Sequence, residues 1–199
     1  MSPLRSVSTA RRRPPADGVS LIELMVGLGI AAVLLAAALP SMNEFIARQR
    51  VAGAATGLVA DIRFARSTQM QTSRPVRLMF NANTSVTCYI AHSLIAGGNC
   101  DCAAANPPYC LALPGATVPT EYKSAMLPRS QGITVKPAVG TPTELIFDAT
   151  SSLTRNAAQL TIDIESTTGG HVRVLTTATG QPRICSVSGH GSAFPVCSS

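Results

Sequence analysis

Residues 18–39 read G-V-S-L-I-E-L-M-V-G-L-G-I-A-A-V-L-L-A-A-A-L, an apolar run that contains one charged residue, Glu23. As an α-helix, residues 19–39 would extend about 31 Å, which is close to the thickness of a bilayer core. Four arginines and one acid precede the run, and such a basic flank keeps an N-terminus in the cytoplasm. We therefore predict a single-pass inner-membrane helix over 19–39, with everything after Pro40 in the periplasm.

A secretory signal peptide is the alternative explanation, because Ala36-Ala37-Ala38 imitates the small-residue site at which such signals are cleaved. The apolar run is longer than a usual signal core, however, and it contains Glu23. A carboxylate inside an apolar helix costs several kcal/mol unless it finds a partner, so Glu23 is a candidate functional residue. If the chain is cut before Val19, the new α-amino group of a neighbouring subunit would be a natural cationic partner for Glu23.

Gly18 followed by V-S-L-I-E-L-M-V resembles the leader and N-terminal helix of type IV pilins and of type II secretion pseudopilins. The resemblance implies that a prepilin peptidase removes residues 1–18 as a leader and methylates the amine of Val19. It places Glu23 fifth in the mature chain, and Pro40 where many pilins have a helix-kinking proline. Val19 departs from the pattern, since the commonest first residue in the family is Phe.

The helix is expected to continue as an amphipathic half over residues 40–74. Pro40 should kink it or break it locally because proline lacks a backbone N–H, and Pro75 ends the pattern. Apolar residues recur at spacings of four and three, which predicts a stripe that packs on a sheet. The stripe consists of Val51, Ala55, Leu58, Ile62, Ala65 and, at its polar end, Gln69. The charged residues Arg48, Arg50, Asp61, Arg63 and Arg66 fall largely on the other, polar side of the helix.

From Val76 onward the sequence alternates between apolar and polar residues, which is typical of strands with one solvent-facing side. We therefore predict an α+β fold, in which the long N-terminal helix packs on an antiparallel β-sheet domain formed by residues 75–199. Residues 92–131 are expected to be an irregular insertion, and Thr167–Gly170 a hairpin turn. The candidate strands are 76–80, 86–91, 133–136, 144–148, 159–165, 171–177 and 182–187.

Three further segments resemble the GspH/FimT group of minor pilins and pseudopilins: L-V-A-D-I-R-F-A-R-S-T-Q-M (58–70), R-P-V-R-L (74–78) and G-H-V-R-V-L-T-T-A-T-G-Q-P-R-I-C (170–185). The resemblance implies a FimT/FimU-like minor pilin that takes part in pilus assembly and primes it at the tip. Its partners would be other minor and major pilins, bound through the N-terminal helix. A GspH-like minor pseudopilin of type II protein secretion is the alternative, and the sequence does not separate the two.

All six cysteines lie beyond the apolar helix, where an exported chain meets an oxidising compartment. An even number favours disulfides over a zinc site built from four thiolates, whose ligand spacing is also absent. The resemblance implies a Cys185–Cys197 bond that closes a C-terminal loop, as in many pilins. Three pairings stay open for the remaining cysteines, which are Cys88, Cys100, Cys102 and Cys110.

The formal charge of +6 overstates how basic the mature chain is. Removal of residues 1–18 leaves twelve basic and nine acidic residues, a net charge of +3, which does not predict strong nucleic-acid binding. In some FimT-like pilins, however, a terminal G-R-x-R turn binds DNA. The matching positions are 180–183, where Gln181 replaces the first arginine. The candidate DNA-binding residues are therefore Arg183, Gln181, Arg173 and Lys136.

An enzymatic function has no support in the sequence. His92, His171 and His190 are scattered and belong to no hydrolase, metalloprotease or phosphate-binding motif. We therefore predict no catalytic residues, no cofactor and no metal.

Overall fold

The computed structural model describes residues 18–150, Thr154, 159–187 and 193–197, and for residues 37–41 it describes the backbone only. The chain divides into two compact units, Met1–Pro40 and Ser41–Ser199. One α-helix, α1, extends from Leu21 to Thr72. Most of the predicted leader lies outside what the structure describes and stays a prediction. The helix is continuous through Pro40, and the kink expected there stays a prediction.

In the first unit, α1 exposes apolar side chains around its whole circumference. Every Val, Leu, Ile and Met from Val19 to Leu35 is more than half exposed. Within the described part of the chain, no helix is both long and apolar enough to cross a membrane.

In the second unit, the predicted stripe of α1 is the helical side of the main core. Val51, Ala55, Leu58, Ile62 and Ala65 are at most 1% exposed and pack against strand residues such as Leu78, Leu145 and Val174. The helix ends at Thr72, and Ser73 follows with a φ of 53° and donates its N–H to the Gln69 carbonyl. This left-handed residue caps the helix immediately before the first strand.

Within the residues that the structure describes, ten strands form two four-stranded sheets and one small hairpin, and all their pairings are antiparallel. The first sheet consists of β1 (Val76–Ala82), β2 (Val86–Ser93), β5 (Glu121–Pro128) and β7 (Glu144–Phe147), in the order β5-β2-β1-β7. The second consists of β6 (Ile133–Pro137), β8 (Thr161–Ser166), β9 (His171–Thr176) and β10 (Pro182–Ser186), in the order β10-β9-β8-β6. The hairpin pairs β3 (Gly98–Cys100) with β4 (Cys110–Ala112).

The predicted α+β fold class is confirmed, but the prediction of an irregular insertion over 92–131 is wrong in part. β5 pairs with β2 along almost its whole length, and β3 and β4 form a hairpin within the same segment. The sequence of β5, E-Y-K-S-A-M-L-P, does not alternate strictly between apolar and polar residues, and none of its residues is buried at this edge of the sheet. Periodicity alone therefore missed it.

The outer face of the first sheet carries a second, smaller core, and disulfides close it. Cys88 and Ile90 of β2 pack there against the segment that contains the β3–β4 hairpin. A Cys88–Cys102 bond ties this segment to the sheet, and a Cys100–Cys110 bond joins directly paired residues of β3 and β4. The expectation of disulfides is confirmed, and the pairing that the sequence left open is resolved. We call residues 94–118 the disulfide-closed cover.

Candidate assembly and binding sites

The N-terminal candidates lie together at the start of α1. Gly18, Val19 and Ser20 are exposed and precede the helix, whose first turn includes the hydrogen bond from Leu24 N to the Ser20 carbonyl, 3.1 Å long. Glu23 is exposed in that same turn, where the positive end of the helix dipole favours a carboxylate. Among the described residues Glu23 has no ion-pair partner. Its charge is therefore available to a group outside the single chain.

The turn between β9 and β10 is compact and depends on Gly180. The Gly180 N–H donates to the Thr177 carbonyl at 2.7 Å, and the Gln181 N–H donates to Thr177 Oγ1 at 3.1 Å. Gly180 has a φ of +71°, and a Cβ there would lie 2.4 Å from Phe147 Cε1. A residue without a side chain is therefore required for the turn to approach β7.

Two of the four candidate DNA-binding residues already have acidic partners. Arg173 donates from Nε and Nη2 to the two oxygens of Asp163, at 2.8 and 3.3 Å. Lys136 Nζ lies 3.1 Å from Glu165 Oε2. Burial alone would raise the pKa of Asp163, but hydrogen bonds from Arg173 and His171 outweigh it and leave that pKa below its usual value. Arg173 and Lys136 are thus largely neutralised at the sheet surface.

Two arginines of α1 instead lie beside the turn between β9 and β10. Arg63 and Arg66 line an open cavity of about 260 Å³ together with residues 180–182. Neither arginine forms a salt bridge within the described ranges, and the same is true of the exposed Arg183. The structure therefore brings Gln181 next to a pair of unpaired cations that the sequence analysis did not select. Their spacing of three residues, which puts both on one helix face, was the available signal.

Asp61 is a second residue that the sequence analysis passed over. It is only 6% exposed although it was expected on the polar side of the helix. Tyr89 Oη donates to Asp61 Oδ2 at 2.8 Å, and Lys123 Nζ lies 2.8 Å from Asp61 Oδ1. Burial, together with the adjacent Asp61 carboxylate, raises the pKa of Tyr89, so the hydroxyl stays protonated and donates. This cluster fastens α1 to β2 and β5.

Residues 14–39 match the family model of the prokaryotic N-terminal methylation motif. The start of the chain carries this methylation motif. The match includes Gly18, Val19 and Glu23 and ends one residue before Pro40. It is confined to the N-terminal segment and says nothing of the β-rich domain.

Among solved structures, the chain is similar to the crystal structure of the type IV minor pilin FimU from Pseudomonas aeruginosa strain PAO1. The sequence identity is 16% and the TM-score is 0.47, and the alignment covers 71% of this chain and 91% of that chain. No curated protein matches the sequence.

The C-terminal cysteines are also joined. Cys185 of β10 is bonded to Cys197, and the chain between them returns to the sheet through two backbone hydrogen bonds with Ser186. Ser186 N donates to the Pro195 carbonyl at 2.7 Å, and Cys197 N donates to the Ser186 carbonyl at 3.0 Å. The C-terminal loop is therefore held both covalently and by pairing with the sheet.

Proposed function

We propose that this chain is a FimT/FimU-like minor type IV pilin that enters a filament through α1. The observation that carries the proposal is an apolar helix surface that is exposed on all sides, contains one carboxylate and lies behind a methylation motif. Fully burying one Leu or Ile side chain contributes about 1.5–3 kcal/mol, so a helix of this kind is stabilised strongly by neighbouring apolar helices.

In this assembly, Glu23 sets the axial position of each subunit relative to its neighbour. Removal of residues 1–18 leaves a positively charged amine on Val19, and methylation keeps that charge. An apolar environment strengthens the attraction between this amine and the Glu23 carboxylate of an adjacent subunit. An unpaired carboxylate among apolar helices is costly, so subunits shifted out of register are disfavoured.

Before assembly, the same helix anchors the subunit in the inner membrane with its β-rich domain in the periplasm. The basic residues 5–13 favour this orientation, and the disulfides require an oxidising compartment. A prepilin peptidase and the other minor pilins are then its partners, and priming at the filament tip is its role.

The test is Glu23→Ala in the full precursor, expressed in cells that assemble the filament. We expect normal leader cleavage, seen as a shift in gel mobility, and loss of the subunit from sheared filaments. Glu44→Ala is the matched control, because Glu44 is an exposed glutamate of the same helix. Incorporation of the Glu23→Ala protein at the normal level would contradict the proposal.

The alternative filament is that of type II secretion, in which the chain would be a GspH-like pseudopilin. Every N-terminal feature described above is compatible with both the type IV pilus and the type II secretion filament. Deletion of the gene separates them, because a pilus subunit affects surface filaments whereas a pseudopilin causes secreted proteins to accumulate in the periplasm.

DNA binding at the turn between β9 and β10 is a second candidate function, and one observation favours it. Arg63 and Arg66 put two unpaired positive charges beside Gln181, where the resemblance leads one to expect an arginine. Contacts of this kind are made to phosphates, so affinity should fall steeply with salt.

The DNA test compares two double variants of the full-length protein in detergent. Loss of two phosphate contacts should lower the slope of log affinity against log salt by about 1.8 for duplex DNA. We expect this for Arg63→Gln/Arg66→Gln and a smaller change for Lys136→Gln/Arg173→Gln, whose charges are already paired. Equal effects of the two double variants would argue against this site.

A further inference from the structure

Three metal-ligating side chains converge on the outer face of the second sheet. Asp163 and Glu165 are two residues apart on β8 and so lie on the same face, and His171 of β9 is the direct cross-strand partner of Glu165. One ligand atom from each of the three lies within 4.8 Å of the other two. The strand register, and not a flexible loop, sets this arrangement.

The distances from His171 to the two carboxylates are close to those of a coordination shell. His171 Nε2 lies 3.1 Å from Asp163 Oδ1 and 3.6 Å from Glu165 Oε1. In a tetrahedral zinc site with bonds of about 2.0–2.2 Å, neighbouring ligand atoms are roughly 3.3–3.6 Å apart. A proton on Nε2 satisfies Asp163, but Glu165 Oε1 at 3.6 Å is too far for a hydrogen bond. Glu165 Oε1 therefore accepts no hydrogen bond from His171 and is available as a ligand atom.

The carboxylate oxygens have further partners that orient both groups. Lys136 contacts Oε2 of Glu165 and leaves Oε1 towards His171, while Arg173 donates to both oxygens of Asp163, so that Oδ1 accepts from Arg173 and also faces His171. Metal-bound carboxylates normally have hydrogen-bond partners of this kind. The His171 and Glu165 side chains are 27% and 35% exposed, which leaves room for entry of an ion and for water ligands.

We propose that Asp163, Glu165 and His171 form a divalent transition-metal site on the second sheet. One imidazole and two carboxylates suit Zn²⁺ and its first-row neighbours rather than Ca²⁺ or Mg²⁺. The charges of Lys136 and Arg173 oppose the ion, so the site binds weakly and exchanges its metal with the surroundings. The bound ion links β8 to β9 across their hairpin.

The experiment titrates the full-length protein in detergent with Zn²⁺ alone and follows the heat of binding. We expect saturable binding of one ion, which His171→Ala and Glu165→Gln each weaken by about tenfold or more. Glu165→Gln keeps the shape of the side chain at the sheet surface, so it reports on binding even where His171→Ala reduces folding. Glu121→Gln is the matched control, because Glu121 is an exposed glutamate on β5 of the first sheet, and it should leave the affinity unchanged.

Lys136→Gln gives the sharpest outcome, because it removes a competing cation and keeps all three ligands. We expect it to tighten Zn²⁺ binding by about threefold or more, since the Lys136 ammonium, which contacts Oε2 of the same Glu165 carboxylate, repels a divalent ion even at a surface. A purely structural ion-pair network predicts no such gain. The absence of saturable binding up to about 1 mM Zn²⁺, or equal affinities in wild type and His171→Ala, would overturn the proposal.

Discussion

The Tyr89 hydroxyl donates a 2.8 Å hydrogen bond to Asp61, and this contact joins the helix to the second strand inside the main core. Asp61 is buried at 6% exposure, and its other oxygen faces the half-exposed ammonium of Lys123. A buried carboxylate is stabilised by the donors that replace its lost hydration. The cluster therefore determines how firmly the helix is held on the first sheet.

Tyr89→Phe removes the donor and leaves the ring. A hydrogen bond to a charged group contributes about 1.5–3 kcal/mol, so we expect the free energy of unfolding to fall by that amount. Urea unfolding followed by circular dichroism measures it. Tyr122→Phe is the control, since no hydrogen bond of its hydroxyl occurs within the described residues. An equal effect of the two variants would mean that the Tyr89 bond is not special.

The charged pair should be asymmetric in the same assay. Asp61→Ala leaves the buried Tyr89 hydroxyl without its acceptor, and a buried donor without a partner costs about 1–3 kcal/mol. Lys123→Ala should cost less than about 1 kcal/mol, because the lysine side chain is 50% exposed and solvent screens its charge. The reverse order would show that Lys123, and not Tyr89, is the main partner of Asp61.

His92 should make stability depend on pH. Its side chain is fully buried, and burial lowers its pKa; the nearby Arg77 lowers it further, and the hydrogen bond with the Ser93 carbonyl only partly compensates. The unfolded chain takes up a proton near pH 6.5 and the folded chain does not. The contribution of His92 is therefore fully present above pH 6.5 and is lost as the pH falls below that value.

The measurement compares unfolding free energies at pH 7.5 and 5.5 in wild type and in His92→Leu. The wild type should lose up to about 1.4 kcal/mol more than the variant over this interval. Parallel pH profiles for the two proteins would rule out this role for His92.

Gly180→Ala should destabilise the protein by two separable effects. A left-handed conformation costs an alanine about 1–2 kcal/mol, and the clash with Phe147 adds about 1–3 kcal/mol of overpacking. Gly115→Ala is the matched control, because Gly115 has a φ of +84° but a Cβ there would meet nothing within 4 Å. Thermal unfolding should show a clearly larger loss at Gly180, and equal losses would mean that Phe147 moves aside freely.

The C-terminal disulfide should contribute measurably to stability. Cys185→Ala/Cys197→Ala opens a loop with a sequence separation of 12, for which chain entropy predicts a loss of about 3 kcal/mol. The two backbone hydrogen bonds at Ser186 persist in the variant and soften the loss. A change below about 1 kcal/mol in chemical unfolding would show that these bonds alone hold the loop.

The sequence predicted the elements whose pattern is strong. The stripe from Val51 to Ala65 identified the buried face of the helix, and the seven candidate strands match observed strands to within two residues at each end. The alternation of Leu160, Ile162 and Ile164 located β8 correctly, but it also predicted a solvent-facing Asp163. That side chain is buried at 7% exposure because Arg173 and His171 close over it.

The features that the sequence did not predict depend on contacts between residues that are far apart along the chain. The helical pattern cannot reveal that the turn at Gly180 lies against Arg63 and Arg66, because chain closure over more than a hundred residues brings them together. Likewise, the polar-face assignment of Asp61 was reasonable for an isolated helix. Only Tyr89 and Lys123, which arrive on separate strands, make burial of that carboxylate favourable.

Covalent attachment of the disulfide-closed cover to the first sheet depends on oxidation of Cys88 and Cys102. Cys88 lies on β2, within the first sheet. Its partner Cys102 lies in the cover, which contributes no strand to that sheet. Under reducing conditions the Cys88–Cys102 bond does not persist, and the cover is then held to the first sheet by noncovalent packing alone. The oxidation state of Cys88 therefore reports whether the cover is covalently attached to the first sheet.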